Sequence, residues 1–123
     1  MSSRVRILVA ADDAQVRAAY RSFFADRPDV ELVGEARTGA EAIEAYERLR
    51  PDLVLMDVVM PGLNGYQATR TLTRDETTKH IPVIVCTSKG QETDKIWGLR
   101  QGAQDYMVKP INQDELLAKI AAL

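Results

Sequence analysis

An α/β fold with a parallel sheet is what this 123-residue sequence predicts, and three observations carry that reading. Four short runs rich in Val, Ile and Leu recur at 5–10, 30–36, 52–57 and 81–87, and a shorter run, Asp105-Tyr106-Met107-Val108, follows. Stretches with apolar residues at helical spacing lie between and after them. The central run, Leu53-Val54-Leu55-Met56, is apolar without alternation, as a strand covered on both faces requires.

The elements follow in order. Residues 5–10 read as the first strand, closed by Ala11-Asp12-Asp13. Residues 14–25 read as a helix with Val16, Ala19, Tyr20, Phe23 and Phe24 as its apolar stripe. Residues 30–36 form a second strand, and Glu31 and Glu35 suit an edge with one wetter side. Thr38-Gly39 introduces a helix over 40–50, with Ile43, Tyr46 and Leu49 inward, and Pro51 stops it. The third strand, 52–57, ends on Asp57 and breaks at Pro61-Gly62. Asn64-Gly65 introduces the third helix, which runs to about Arg74, and 74–80 is a polar loop. The fourth strand, 81–87, holds Pro82 near its start, where a missing donor is tolerated. A fourth helix is expected over 91–101, with Gly102 at a C′ position that favours positive φ. A short fifth strand spans 105–108. Asn112 caps a fifth helix, whose apolar face is Leu116, Leu117, Ile120 and Leu123.

Five βα units in succession require right-handed crossovers and helices on both faces of the sheet. The expected architecture is a flavodoxin-like, doubly wound, five-stranded parallel sheet of order 2-1-3-4-5 with five helices, in one domain covering 1–123. An apolar content of 46% supports one packed core without staples. The lone cysteine, Cys86, excludes an internal disulfide and reads as a small buried hydrophobe. Apolar runs fall far short of the roughly 20 residues of a membrane span. The first residues carry no signal-peptide core, so membrane insertion is not expected and the cytoplasm is. A net charge of −2 without a basic block argues against direct nucleic-acid binding.

In the order 2-1-3-4-5 the switch point, where ligands bind, lies between strands 1 and 3. Asp12 and Asp13 close one of these strands and Asp57 the other, so three carboxylates are expected to converge. Such crowding calls for protonation or a cation. All-oxygen donors without thiolate or histidine suit Mg²⁺, which keeps waters and takes one or two carboxylates. Thr87, ending strand 4, and Lys109, ending strand 5, reach the same rim. Acid, metal, hydroxyl and ammonium together suit a transferred phosphoryl group, with Asp57 as the nucleophile.

Asp12-Asp13, Asp57 with Met60-Pro61-Gly62 and Gly65, Thr87-Ser88, and Lys109-Pro110 stand at the ends of strands 1, 3, 4 and 5. In this the whole chain resembles the receiver domain of bacterial two-component response regulators. The resemblance implies an acceptor that takes a phosphoryl group on Asp57 from a sensor histidine kinase and later loses it, rather than a turnover enzyme. It implies Mg²⁺ held by Asp13, Asp57 and the carbonyl of Val59, with Asp12 acting through water, and phosphoryl oxygens bound by Thr87 and Lys109. It also implies a switch in which Thr87 moves and Tyr106 turns inward. The surface made by 91–101, the fifth strand and the last helix then changes its affinity for a downstream protein, in a monomer or weak homodimer.

From Met56 onward the chain is similar to single-domain regulators of pilus-driven twitching motility, through stretches such as Asn64-Gly65-Tyr66-Gln67 and Gly102-Ala103-Gln104-Asp105-Tyr106. Chemotaxis or pilus control is therefore the expected pathway. The first half, Val5-Arg6-Ile7-Leu8-Val9-Ala10 and Val33-Gly34-Glu35-Ala36, is more similar to receivers attached to helix-turn-helix output domains. The sequence stops at Leu123 without such a domain, so a stand-alone regulator is expected. A receiver cut from a longer DNA-binding regulator is the alternative. Val59 and Lys89, each two residues past a site residue, are expected to slow hydrolysis of the aspartyl phosphate.

Simpler roles exist for each residue. Asp12-Asp13 can serve as helix cap and first-turn acid. Thr87 can be a strand-end hydroxyl, Tyr106 a packed aromatic, and Gly62 and Gly65 suppliers of unusual backbone angles. Trp97 is divided between core and partner surface, and His80 has no role. A cis Lys109-Pro110 bond would aim Lys109 inward. Among rival functions, an aspartate-nucleophile phosphatase needs an acid where Val59 stands. A flavin or dinucleotide module needs a glycine- or hydroxyl-rich loop where Asp12-Asp13 stands. A docking module that takes no phosphate is the third rival.

Overall fold

A computed structural model describes residues 4–58, 60, 62–87, 96, 99–109 and 111–123. Its elements are β1 (Val5–Ala10), α1 (Ala14–Ala25), β2 (Val30–Ala36), α2 (Gly39–Leu49), β3 (Leu53–Asp57), α3 (Gly65–Arg74), β4 (Val83–Thr87), β5 (Asp105–Val108) and α4 (Gln113–Ala121). All strand pairings are parallel, in the order β2-β1-β3-β4-β5. The expected doubly wound topology is therefore present, with β2 at an edge and Glu31 and Glu35 exposed on it.

Alternation along the strands divides the interior into two apolar layers. Leu8, Ala10, Val54, Met56, Val83 and Val85 meet Ala42, Ala45 and Tyr46 of α2 and Ala68 and Leu72 of α3 on one face. Ile7, Val9, Leu53, Leu55, Ile84 and Met107 meet Tyr20 and Phe24 of α1 and Leu116 and Ile120 of α4 on the other. Every residue of β3 is buried.

Several boundaries differ from the sequence-based expectation for local reasons. Four helices are delimited among the described residues, not five. The expected helix over 91–101 lies mostly outside them, although Ile96, Leu99 and Arg100 are helical. Trp97, Ser88, Lys89, Val59 and Pro110 also fall outside, and with them the expectations placed on them, including a cis bond at Pro110. β4 begins at Val83, because Pro82 has no N–H to give the ladder; its carbonyl still accepts from Val54 N at 3.1 Å. β3 begins at Leu53; Asp52 before it donates its N–H to the Arg6 carbonyl at 2.7 Å and accepts from Arg6 N through its carboxylate, not its main chain, at 2.9 Å. Ala19 of α1 and Leu123 past α4 are exposed rather than part of their apolar faces.

The helix starts hold where side-chain oxygens cap them. Asp13, Thr38, Asn64 and Asn112 each accept from a backbone N–H two or three residues on. Asn64 and Gln67 complete a capping box. α2 ends on Arg50 at φ 50°, the non-glycine residue before Pro51, where α geometry is disfavoured. Arg50 is tied down there by its N–H to the Tyr46 carbonyl at 2.9 Å and its guanidinium to the Thr77 carbonyl at 3.1 Å. Gly102 adopts φ +102°, as a C′ glycine should.

Candidate functional site

The carboxyl ends of the four inner and distal strands bring the candidate residues to one rim. β1 and β3 are neighbours with Ala10 opposite Met56. Asp57 is the next residue on β3, while Ala11, Asp12 and Asp13 continue from β1. β4 runs on the other side of β3 with Cys86 opposite Asp57, so Thr87 lies one residue beyond the acceptor on the adjacent strand. Neighbouring strands are about 4.8 Å apart. Lys109 follows β5, whose Val108 is opposite Thr87, and its N–H donates to the Thr87 carbonyl at 2.7 Å.

Asp57 and Thr87 are both 6% exposed, unusual for polar side chains at strand ends. The carboxylate of Asp57 is not left bare: the Lys109 ammonium pairs with its Oδ1. A buried carboxylate without a partner would be expensive, so this contact is what makes an acid tolerable here. The apolar stem of Lys109 lies along a narrow cleft shared with Ala10, Ala11, Val16, Tyr20, Leu55, Asp57 and Cys86. Asp57, Thr87 and Lys109 are thus brought together as the sequence led one to expect.

Asp12 and Asp13 are exposed. Asp13 caps α1, its Oδ1 accepting from Gln15 N at 2.8 Å, so the simpler capping role is real and engages one of its two oxygens. Among the described residues no three His, Cys, Asp or Glu side chains are gathered closely enough to cage a metal unaided. The donor chemistry nevertheless fits a hard cation that is bound by one or two carboxylates and otherwise keeps its waters. Tyr106 is half-buried on β5, with the Lys119 ammonium 5.7 Å from its ring centroid.

Three features were not read from the sequence. Gly65 does not have positive φ. It is required by close approach: a Cβ there would strike the Asp57 carbonyl oxygen and stand 2.8 Å from Val58 Cα. Its N–H donates to the Val58 carbonyl at 2.9 Å, so α3 starts directly on the backbone that carries the acceptor. Gly62, in contrast, does adopt φ +71°. Second, the Tyr20 hydroxyl lies 3.7 Å from Cys86 Sγ beneath the cleft. Burial pushes the Cys86 thiol up to about 11, and burial with the neighbouring thiol pushes the Tyr20 phenol well above its ordinary range. Third, Arg17 Nη1 donates to the carbonyls of Ala11 and Asp12 at 2.7 and 2.8 Å. A basic residue one turn into a helix looks solvated in sequence; only the packing against β2 shows otherwise.

Comparison with known proteins agrees with this arrangement. Residues 7–121 match the family model described as the response regulator receiver domain. The chain is 54% identical to Protein PilH of Pseudomonas aeruginosa over 89 residues, which cover 72% of this chain and 74% of PilH. It is 37% identical to the DNA-binding response regulator MtrA of Mycobacterium tuberculosis over 120 residues, 97% of this chain but only 50% of MtrA. The chain thus spans half the length of that relative. Its structure superposes on the response regulator domain of Thermotoga maritima CheB with a TM-score of 0.87 and 34% identity, covering 98% of this chain and 96% of that one. With its strand order, buried strand-end aspartate and paired lysine, the chain belongs to the response regulator receiver domain family.

Proposed function

We propose that the protein is a phosphorylation-dependent signalling switch of a two-component system, with Asp57 as the phosphoryl acceptor. The observation that carries this reading is the Lys109 ammonium on the buried Asp57 carboxylate, with Thr87 one residue along on the next strand. A carboxylate oxygen of Asp57 attacks phosphorus of a phosphohistidine, the N–P bond breaks, and its electron pair leaves with the imidazole. Lys109 already stands where charge gathers on the transferred oxygens, and the Thr87 hydroxyl can donate to them. Asp12, Asp13, Asp57 and the backbone carbonyl of Val59 would hold Mg²⁺, which when bound offsets negative charge on the phosphoryl oxygens. Val59 stands where an aspartate-nucleophile phosphatase needs its general acid, which supports a switch rather than a turnover enzyme.

A sensor histidine kinase is the donor, and a downstream protein reads the state through the face made by 91–101, β5 and α4, with Tyr106 following Thr87. No described helix is long and apolar enough to cross a membrane, and a cytoplasmic place is consistent with that. The match to PilH supports a role in pilus motility or chemotaxis control. A second reading, a receiver belonging to a longer DNA-binding regulator, is supported by the near-complete match to half of MtrA.

The test is incubation of the chain with Mg²⁺ and acetyl phosphate, read by intact mass. One added phosphoryl group, absent in Asp57→Asn and abolished by chelator, is the expected result. No mass change in the unaltered protein, with donor shown active on another receiver, would leave a docking module that takes no phosphate.

A further inference from the structure

We infer that Arg17 is a positioning residue for the divalent-cation side of the cleft, with Glu35 holding Arg17 in turn. This rests on the proposed Mg²⁺-dependent switch. Arg17 sits one turn into α1 with its side chain only 14% exposed. Its Nη1 donates to the carbonyls of Ala11 and Asp12, the two peptides that lead into the Asp12-Asp13 pair. Its Nε edge faces Glu35 Oε1 on β2 at 3.6 Å, and Arg21 Nε holds the other Glu35 oxygen at 2.8 Å. Among the described residues the Arg17 guanidinium pairs with Glu35 and with neither Asp12 nor Asp13.

That choice of partners decides what Arg17 does. A cation beside two carboxylates would ordinarily pair with them and compete with a metal ion. Here the planar fork is turned onto main-chain carbonyls and its remaining edge is taken by Glu35. The guanidinium therefore fixes the backbone under the acids without itself pairing with their oxygens, of which Asp13 Oδ1 accepts from Gln15 N. A lysine ends in a single nitrogen, so it has no second edge to face Glu35 while its ammonium reaches the two carbonyls. The arrangement is that of an outer residue that orients ligands without touching the ion, where loss typically weakens metal affinity by 10–100-fold.

The two possible effects of Arg17 have opposite signs. If it acts only as a nearby positive charge, removing it strengthens cation binding, and removing Arg21 does the same. If it acts as a clamp, Arg17→Met weakens binding by about tenfold, while Arg21→Met, which touches neither carbonyl, does not weaken it. The experiment titrates the full chain with Mg²⁺ and follows the amide shifts of Asp12 and Asp13, with Mn²⁺ counted in parallel by electron paramagnetic resonance. Arg17→Lys is expected to fail to rescue. Glu35→Gln, which frees Arg17 to swing onto the acids, is expected to weaken binding in the same direction. The acetyl phosphate rate of each weakened variant should recover at saturating Mg²⁺, which a general packing defect would not do. Unchanged or tighter Mg²⁺ binding in Arg17→Met, or in Arg17→Lys and Glu35→Gln should Arg17→Met not fold, overturns the inference while leaving the switch intact. An unaltered chain that neither binds Mg²⁺ nor takes a phosphoryl group overturns both.

Discussion

Gly65→Ala offers a test in which local propensity and packing predict opposite signs. Alanine is a better helix former than glycine by about 1 kcal/mol in a helix interior, so propensity alone makes the variant more stable. The structure says otherwise. A Cβ at this position would meet the Asp57 carbonyl oxygen and stand 2.8 Å from both the Asp57 carbonyl carbon and Val58 Cα. These are main-chain atoms of β3 and its exit, so no rotamer change relieves the contact. The start of α3 must move away, stretching the Gly65 N–H to Val58 carbonyl bond of 2.9 Å. Overpacking costs about 1–3 kcal/mol, the weakened hydrogen bond about 1, and the propensity gain offsets about 1. The net is a loss of about 1–3 kcal/mol, measurable by urea unfolding with an unchanged m-value. Because the displaced backbone carries Asp57, the acetyl phosphate rate should fall as well. A variant as stable as the parent, or more so, would refute the close-approach explanation of Gly65.

Two further outcomes follow from other parts of the fold. The Tyr46 hydroxyl is buried and donates to the Thr78 carbonyl at 3.0 Å; that carbonyl also accepts from Ile81 N at 3.1 Å, so Tyr46→Phe removes one of its two donors and should cost about 0.5–1.5 kcal/mol, as read by urea unfolding. Burial pushes the Cys86 thiol from 9 up to about 11 and the Tyr46 phenol from 10 up to about 12, so the folded state holds both protons more tightly than the unfolded chain. Their contributions are full below pH 9 and are lost as pH rises through 9–11 and 10–12; stability should fall progressively above pH 9, and Cys86→Val should delay that fall toward pH 10.

The fold was legible because periodicity here is clean. β1, α1, β2 and β5 have the bounds expected from their patterns, since each apolar run is flanked by Asp, Pro or Gly. Misses came where the deciding contact lies outside the local window. Ala19 fits a helical stripe, but neither apolar layer extends to cover it. Pro82 looks like a strand residue until the missing N–H is counted against the ladder. The meeting of Asp57 and Lys109 could be expected from the strand order, because Asp57 ends the central β3 and Lys109 follows β5 at the same rim, with only β4 between them. Gly65 could not be understood in that way. Its role depends on a backbone eight residues earlier in the chain, and sequence offers only the glycine itself. The role of Arg17 is hidden for a similar reason: its partners are Ala11 and Asp12, just past β1, and Glu35 on β2, and no local pattern reveals how these come together.

The central strand has a consequence for how this chain can vary. Leu53 and Leu55 belong to one apolar layer, Val54 and Met56 to the other, and Asp57 follows immediately. Adding or deleting a single residue within 53–57 would exchange the layers and carry the carboxylate away from its lysine. Loops can lengthen and helices can drift, but the count of residues in this strand is the dimension least open to change.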